Sequence, residues 1–456
     1  MAFRKLVFGL AAALTTCLGL SLPSSAQIEG TINTASARQF RVALPNFEGY
    51  SPEAQALADQ IVSIMRNDLQ STGLFDLLPP ESFIQKDLSV LVQPRFADWR
   101  IIQTEALGIG EVEIMPDGKM RVAFRLWDPA TESEKMLSGQ RGRQYVTTQE
   151  NIRRVAHVLA DDIYSSLTGD AGYFDTRIVF IAESGPKTDR RKRLAIMDQD
   201  GANAEHLTDG RYTVLTPRFS PSQQTITYMT YERGRPQVYL FDIETGRSES
   251  LGRFEGMTFA PRFSPDGGAV IMSQATNGNS DIYVMDLVSR QKTRLTDHPA
   301  IDTSPSMSPT GREIVFTSDR GGSPQLYVMN RDGSPRVCPN GNRDTACRIT
   351  GFSDGGYYST PVWSPRGDLI AFTKQAGGRF HIGVIQPDGR GERLLSEAYL
   401  DEGPAWSPNG RVIIFFREAR PGAGPKLYTV DLTGRNLRQV QTPGDASDPA
   451  WSPPLR

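Results

Sequence analysis

“DPAWSPPLR”, residues 448–456, is the stretch on which the fold turns. Its core has five counterparts upstream: “TPRFSPS” from 216, “APRFSPDG” from 260, “SPSMSPTG” from 304, “TPVWSPRG” from 360 and “GPAWSPNG” from 403. The second prolines, Pro221, Pro265, Pro309, Pro365, Pro408 and Pro453, lie 44, 44, 56, 43 and 45 residues apart. A period of roughly 40–50 residues with strand-rich content is the signature of propeller blades. After each of the first five markers come a tight turn, a β-branched strand such as “EIVFTSD” from 313, and a strand such as “DIYVMD” from 281 or “QLYVMN” from 325. A short “RLT”-like segment, as at 294, ends the unit. One such unit cannot bury both of its faces; stacking units around a ring does.

The sixth marker has no such continuation. “RIVFIAES” from 177 and “RLAIMDQDG” from 193 match the missing strands, and no marker precedes them. The last blade is therefore expected to be composite, with its inner strand from the C-terminus and the rest from residues 177–208. The expected architecture over 172–456 is an all-β six-bladed β-propeller closed by that pairing, which removes exposed sheet edges.

The one long spacing contains “CPNGNRDTAC”, residues 338–347, and reads as a surface insertion. Cys338 and Cys347 flank its turn and are spaced for a disulfide in an oxidising compartment, with two free thiols as the alternative. The third cysteine, Cys17, lies in the apolar run “LVFGLAAALTTCLGLSL” that follows Arg4 and Lys5. With “PSSA” before Gln27, this reads as an export signal over 1–26, cleaved between Ala26 and Gln27. At about 17 residues the run is short for a spanning helix, so no membrane span is expected in the mature protein.

Residues 27–37 read as a flexible N-terminal segment, and 38–171 as a small α/β (α+β) domain. Ser51 and Pro52 open a helix with Leu57, Ile61, Ile64, Met65 and Leu69 at helical spacing, and Gly73 ends it. “GIGEVEIM”, the turn “PDG” and “KMRVAFRLWD” read as a hairpin. A second helix carries Ile152, Val155, Leu159, Ile163 and Leu167 up to Gly169, and Thr147 with Glu150 fits a capping box at its start.

The charge balance, 50 Lys and Arg against 52 Asp and Glu for a net −2, marks neither a nucleic-acid nor an acidic-polymer partner. No phosphate loop, metal cluster or nucleophile motif stands out, so neither a cofactor nor an enzymatic activity is expected. “GFSDG” at 351–355 fits the G-x-S-x-G pattern. Its Ser353 lies between blades, however, and no hydrolase sheet follows. Asp198-Gln199-Asp200-Gly201 has the start of a calcium loop without its later ligands and reads as a turn. The four histidines, His157, His206, His298 and His381, fall in different units.

The export signal, the α/β domain and the six-fold “WSPDG…LYVMD…RLT” pattern ending in “PAWSP” resemble the TolB family, the periplasmic component of the Tol–Pal envelope system. The resemblance covers essentially the whole mature chain, and the shortened sixth unit is its most specific part. It implies a non-enzymatic periplasmic adaptor that supports outer-membrane invagination during cell division and envelope integrity. It also implies binding of the lipoprotein Pal through the propeller and of TolA through the N-terminus. Carried onto this chain, the Pal-binding positions fall at Met257, Thr258, Ala260 and Thr303. Leu215, Tyr358, Leu400 and Asp401 are their neighbours in analogous loops. Thr303 matches the family in type, whereas a family histidine falls at Met257. The TolA segment corresponds to Gln27, Ile28, Glu29, Gly30, Thr31, Ile32 and Asn33. The alternative reading is a carbohydrate- or peptidoglycan-binding module, or a hydrolase accessory protein, to which Tyr357 and Tyr358 would contribute aromatic faces.

Overall fold

The computed structural model describes residues 38–455 except 138, 233–234, 255–256 and 352–354. The signal segment 1–26, the cleavage pair Ala26 and Gln27, the TolA segment and Ser353 lie outside the described residues.

The N-terminal region is α/β. Helix α1 (Pro52–Ser71) starts where expected: the Ser51 hydroxyl accepts the Ala54 N–H at 3.1 Å, and Pro52 fills the first turn. Its stripe of Ile61, Ile64, Met65 and Leu69 is buried. Helix α2 (Phe96–Ile101) is a short connector, and α3 (Ile152–Thr168) ends at Gly169, whose φ of 76° is the left-handed value a helix stop requires. The capping box at Thr147 and Glu150 does not form. A 3₁₀ turn, Gln149–Asn151, intervenes, and Thr147 instead accepts from the Asn151 amide at 2.9 Å. Helices α1 and α3 contribute to one core with a mixed sheet. That sheet is built on the hairpin of Ala106–Ile114 and Met120–Asp128, with Phe40–Ala43 parallel to its first strand.

Among the described residues six four-stranded antiparallel sheets follow. Five are continuous in sequence, with inner strands Thr213–Phe219, Met257–Phe263, Asp302–Met307, Tyr357–Trp363 and Leu400–Trp406. The sixth is composite: Asp445–Trp451 pairs antiparallel with Arg177–Ser184, setting Trp451 opposite Ile178 and Asp445 opposite Glu183. This is the six-bladed propeller closed by its C-terminal strand.

The closing seam also holds the two regions together. The Trp451 indole N–H donates to the Thr176 hydroxyl at 2.8 Å, and its ring meets Tyr173 edge-on at 5.8 Å. Tyr173 in turn meets Tyr164 of α3. Trp451, Ala446 and Phe180 therefore share a core with α1 and α3. Asp170 takes a bidentate contact from Arg411 at 2.8 and 3.0 Å, and the Asn409 amide reaches the Ala171 carbonyl at 2.8 Å.

The insertion forms a two-stranded ribbon, Arg336–Val337 with Arg343–Asp344, and the structure joins Cys338 to Cys347. Cys347 belongs to the blade's outer strand, Ala346–Arg348, so the bond ties the ribbon to the sheet.

Candidate functional site

Each inner strand runs along the central channel from one mouth to the other and breaks register once on the way. The break falls at the residue before the first proline of the marker, where two residues oppose one on the neighbouring strand. Thr216, Ala260, Ser304, Thr360 and Asp448 occupy this position with φ between 46° and 53°, and Gly403 does so at 66°. The following proline disfavours the helical region for these residues, and the left-handed backbone costs a non-glycine residue about 1–2 kcal/mol. The bulge separates the strand into a half that builds one mouth and a half that builds the other.

At the mouth where the inner strands begin stand four exposed apolar side chains: Tyr212 (38% exposed), Ile301 (49%), Tyr357 (52%) and Tyr399 (41%). Each lies three or four residues ahead of its bulge. Beneath them the rim is braced. Asp302 receives two hydrogen bonds from Arg320, at 2.8 and 3.0 Å, and Asp401 receives two from Arg417, both at 2.7 Å. Arg320 lies over Phe316 and Tyr327, each at 5.1 Å, and Arg417 over Tyr428 at 5.0 Å. Such planar, stacked guanidinium–carboxylate pairs hold a rim in one shape.

The residues singled out from the sequence divide here. Leu215, Ala260, Thr303 and Leu400 are half-buried on the inner strands near this mouth. Met257 and Thr258 belong to an inner strand, but their side chains lie outside the described residues. Tyr358 and Asp401 require correction as rim contacts. Both sit two residues ahead of the bulge, where strand alternation turns the side chain between blades. Tyr358 is 1% exposed, donates to Glu392 at 2.9 Å and packs on Phe372; Asp401 is fully buried against Arg417. Reading the sequence did not find Tyr212, Ile301 and Tyr399. The signal was present: an aromatic or aliphatic residue at a near-constant offset before the marker.

The other polar clusters are structural. His157, Asp198 and Asp200 lie close enough to hold a metal ion, but the Arg153 guanidinium already bridges the two carboxylates. Asp200 also accepts the Ala202 N–H, as a turn requires. The His157 imidazole pairs with the fully buried Asp68 at 2.6 Å, and Asp68 accepts from the Gln199 amide at 2.9 Å, which links α1, α3 and the propeller. Burial opposes a charge on His157, but the hydrogen bond and charge of Asp68 outweigh it and raise its pKa. His206, His298 and His381 lie in three separate blades.

Two family models match the chain: one described as the TolB amino-terminal domain over residues 28–135, and one described as the TolB beta propeller domain over 164–455. Among solved structures, TolB from Acinetobacter baumannii is similar at 28% identity, covering 91% of this chain and 97% of that one, with a TM-score of 0.77. A TolB-like chain from Agrobacterium tumefaciens is similar at 18% identity, covering 61% and 93% respectively, with a TM-score of 0.45.

Proposed function

The chain belongs to the TolB family, and from that premise we propose that it is a non-enzymatic periplasmic adaptor of the Tol–Pal system. In this reading the propeller binds Pal, residues 27–33 bind TolA, and the complex supports outer-membrane invagination at division and envelope integrity. The observation that carries the Pal half is the mouth ringed by Tyr212, Ile301, Tyr357 and Tyr399 above buried arginine–carboxylate pairs. Exposed aromatic anchors on a rigid base are what a protein partner's hot spot meets. An export signal accords with the periplasm, and among the described residues no helix is long and apolar enough to cross a membrane.

Thr303 lies on the inner strand between the Ile301 anchor and the bulge at Ser304, half-buried. Arginine there would place an unpaired cation in the contact and should weaken Pal binding by about 2–5 kcal/mol. Tyr399→Ala, which removes an exposed anchor, should cost about 1–2 kcal/mol. Deleting residues 27–33 should spare Pal and weaken TolA. Calorimetric titration against the soluble domains of both partners reads all three. Undiminished Pal binding by folded Thr303→Arg would refute this placement of the site, and no Pal binding by the intact chain would refute the function. Three tyrosines at the mouth also suit a sugar ligand, and the same titration with peptidoglycan fragments tests that reading.

A further inference from the structure

The opposite mouth is chemically different. There the inner strands end in a cavity of about 470 Å³, into which the residue after each first proline faces: Arg218, Arg262, Ser306, Val362, Ala405 and Ala450. Four of the six are small or apolar, and two adjacent blades supply arginine. The signal is visible in the sequence as “PRFSP” in the first two markers alone.

These two arginines differ from the others near the channel. Arg320 and Arg417 each clasp a carboxylate, whereas among the described residues neither Arg218 nor Arg262 forms an ion pair. Arg218 is 8% exposed, and among the described residues its Nε has no partner and its one hydrogen bond runs to the Pro217 carbonyl at 2.6 Å. Arg262 is half-buried as a whole, with its Nε buried and, among the described residues, unpartnered. Burial, and then the neighbouring charge of Arg218, lower the pKa of Arg262 well below its ordinary value. A buried guanidinium whose Nε lacks an acceptor and which has no counter-charge in contact is disfavoured, and a second one beside it more so.

The carboxylate that acts on this pair is Asp448 of the closing blade's inner strand, and Glu402 of the fifth blade lies near Asp448. Burial lowers the pKa of Arg218 against the smaller, opposing effect of the Asp448 charge, and burial followed by the charge of Asp448 raises that of Glu402. With no carboxylate at ion-pair distance among the described residues, the two guanidinium groups leave unused donors in the pocket.

We propose that Arg218 and Arg262 form a binding site for an anion of the phosphate or carboxylate class, seated in the channel at the mouth away from the tyrosine ring. Guanidinium groups suit both anions, because each presents paired oxygens to a planar fork of donors. The ligand is either a free oxyanion or the carboxylate of a chain that enters the channel.

The test is thermal unfolding of the intact chain in chloride buffer, titrated at constant ionic strength with inorganic phosphate in one arm and acetate in the other. The unfolding temperature should rise saturably with at least one anion. A response to phosphate alone assigns a free oxyanion, and one to acetate alone assigns a carboxylate. The double variant Arg218→Met, Arg262→Met should lose that response, its half-saturating concentration rising at least ten-fold, and should unfold at a higher temperature than the parent when no anion is added. Asp448→Asn, at a left-handed position that asparagine tolerates, removes the competing carboxylate and should tighten binding several-fold. No saturable response to either anion, or responses unchanged in the variants, would overturn the proposal.

Discussion

If ring closure depends on the last strand, a chain shortened to end at Gly444 should lose most of its stability. The truncation removes Ala446, Ala450 and Trp451, all at most 8% exposed, and with them one side of the Arg177–Ser184 ladder. Loss of a buried tryptophan alone costs about 3–5 kcal/mol. The hydrogen bond from its indole to the Thr176 hydroxyl, which itself donates to the Tyr173 carbonyl at 2.6 Å, adds about 1 kcal/mol. Arg190 and Lys426 also lose their partner Asp445, and Glu183 loses the Ser447 hydroxyl. The total, upwards of about 5 kcal/mol, compares with about 5–15 kcal/mol for a whole folded domain. Urea denaturation followed by far-ultraviolet circular dichroism would show a collapse of the midpoint, and a synthetic peptide of residues 441–456 should partly restore it. A chain ending at Ser452 is the control, as it loses one backbone hydrogen bond, Leu455 N–H to the Asp175 carbonyl, and about 1 kcal/mol or less. Equal midpoints for the Gly444-terminated and intact chains would refute closure by this strand.

Gly403→Val should cost about 2 kcal/mol or more in the same assay, because the left-handed position penalises a β-branched residue; its Cβ would also stand 3.2 Å from the Phe416 ring. Acid should loosen the seam. Burial works against the charge on Glu183, but Ser447, Lys192 and Arg190 outweigh it and depress its pKa, and Asp445 is depressed likewise. Their contribution is therefore full above the ordinary carboxylate pKa and lost as the pH falls through the depressed values, with hydrogen exchange in residues 177–184 rising at that end. Thiol titration of the unfolded, unreduced mature protein should find no free thiol at Cys338 or Cys347. Reduction should cost roughly 2–3 kcal/mol, the loop-closure value for a separation of nine residues.

The ring was legible because its period is written in prolines, and its closure because “RIVFIAES” has the body of a blade without the head. Helix stripes were equally plain, since apolar spacing reports the buried face directly. What escaped was set by a single inserted residue per strand. The bulge at the head of each marker fixes the phase of the strand ahead of it, and alternation counted from that point leaves Leu400 half-buried and Asp401 fully buried. The 3₁₀ turn ahead of α3 likewise displaced a capping pattern that was locally complete. The unpaired state of Arg218 and Arg262 depends on what four other blades present, which no local pattern records.

The seam between Trp451 and Thr176 joins residues 275 positions apart, and this has a consequence for the nascent chain. At about 5–20 residues per second, synthesis leaves some tens of seconds between the appearance of Arg177–Ser184 and that of its partner. Throughout that interval one edge of the strand is an open template, and the shared core beneath α1 and α3 lacks its tryptophan. Charged residues fence the waiting segment: Arg177 and Glu183 near its ends, and Arg191, Lys192 and Arg193 opening the next strand. Flanking charges of this kind discourage pairing with another chain. The composite blade thus makes completion of the N-terminal region wait for the synthesis of Asp445–Trp451, and these charges guard the delay.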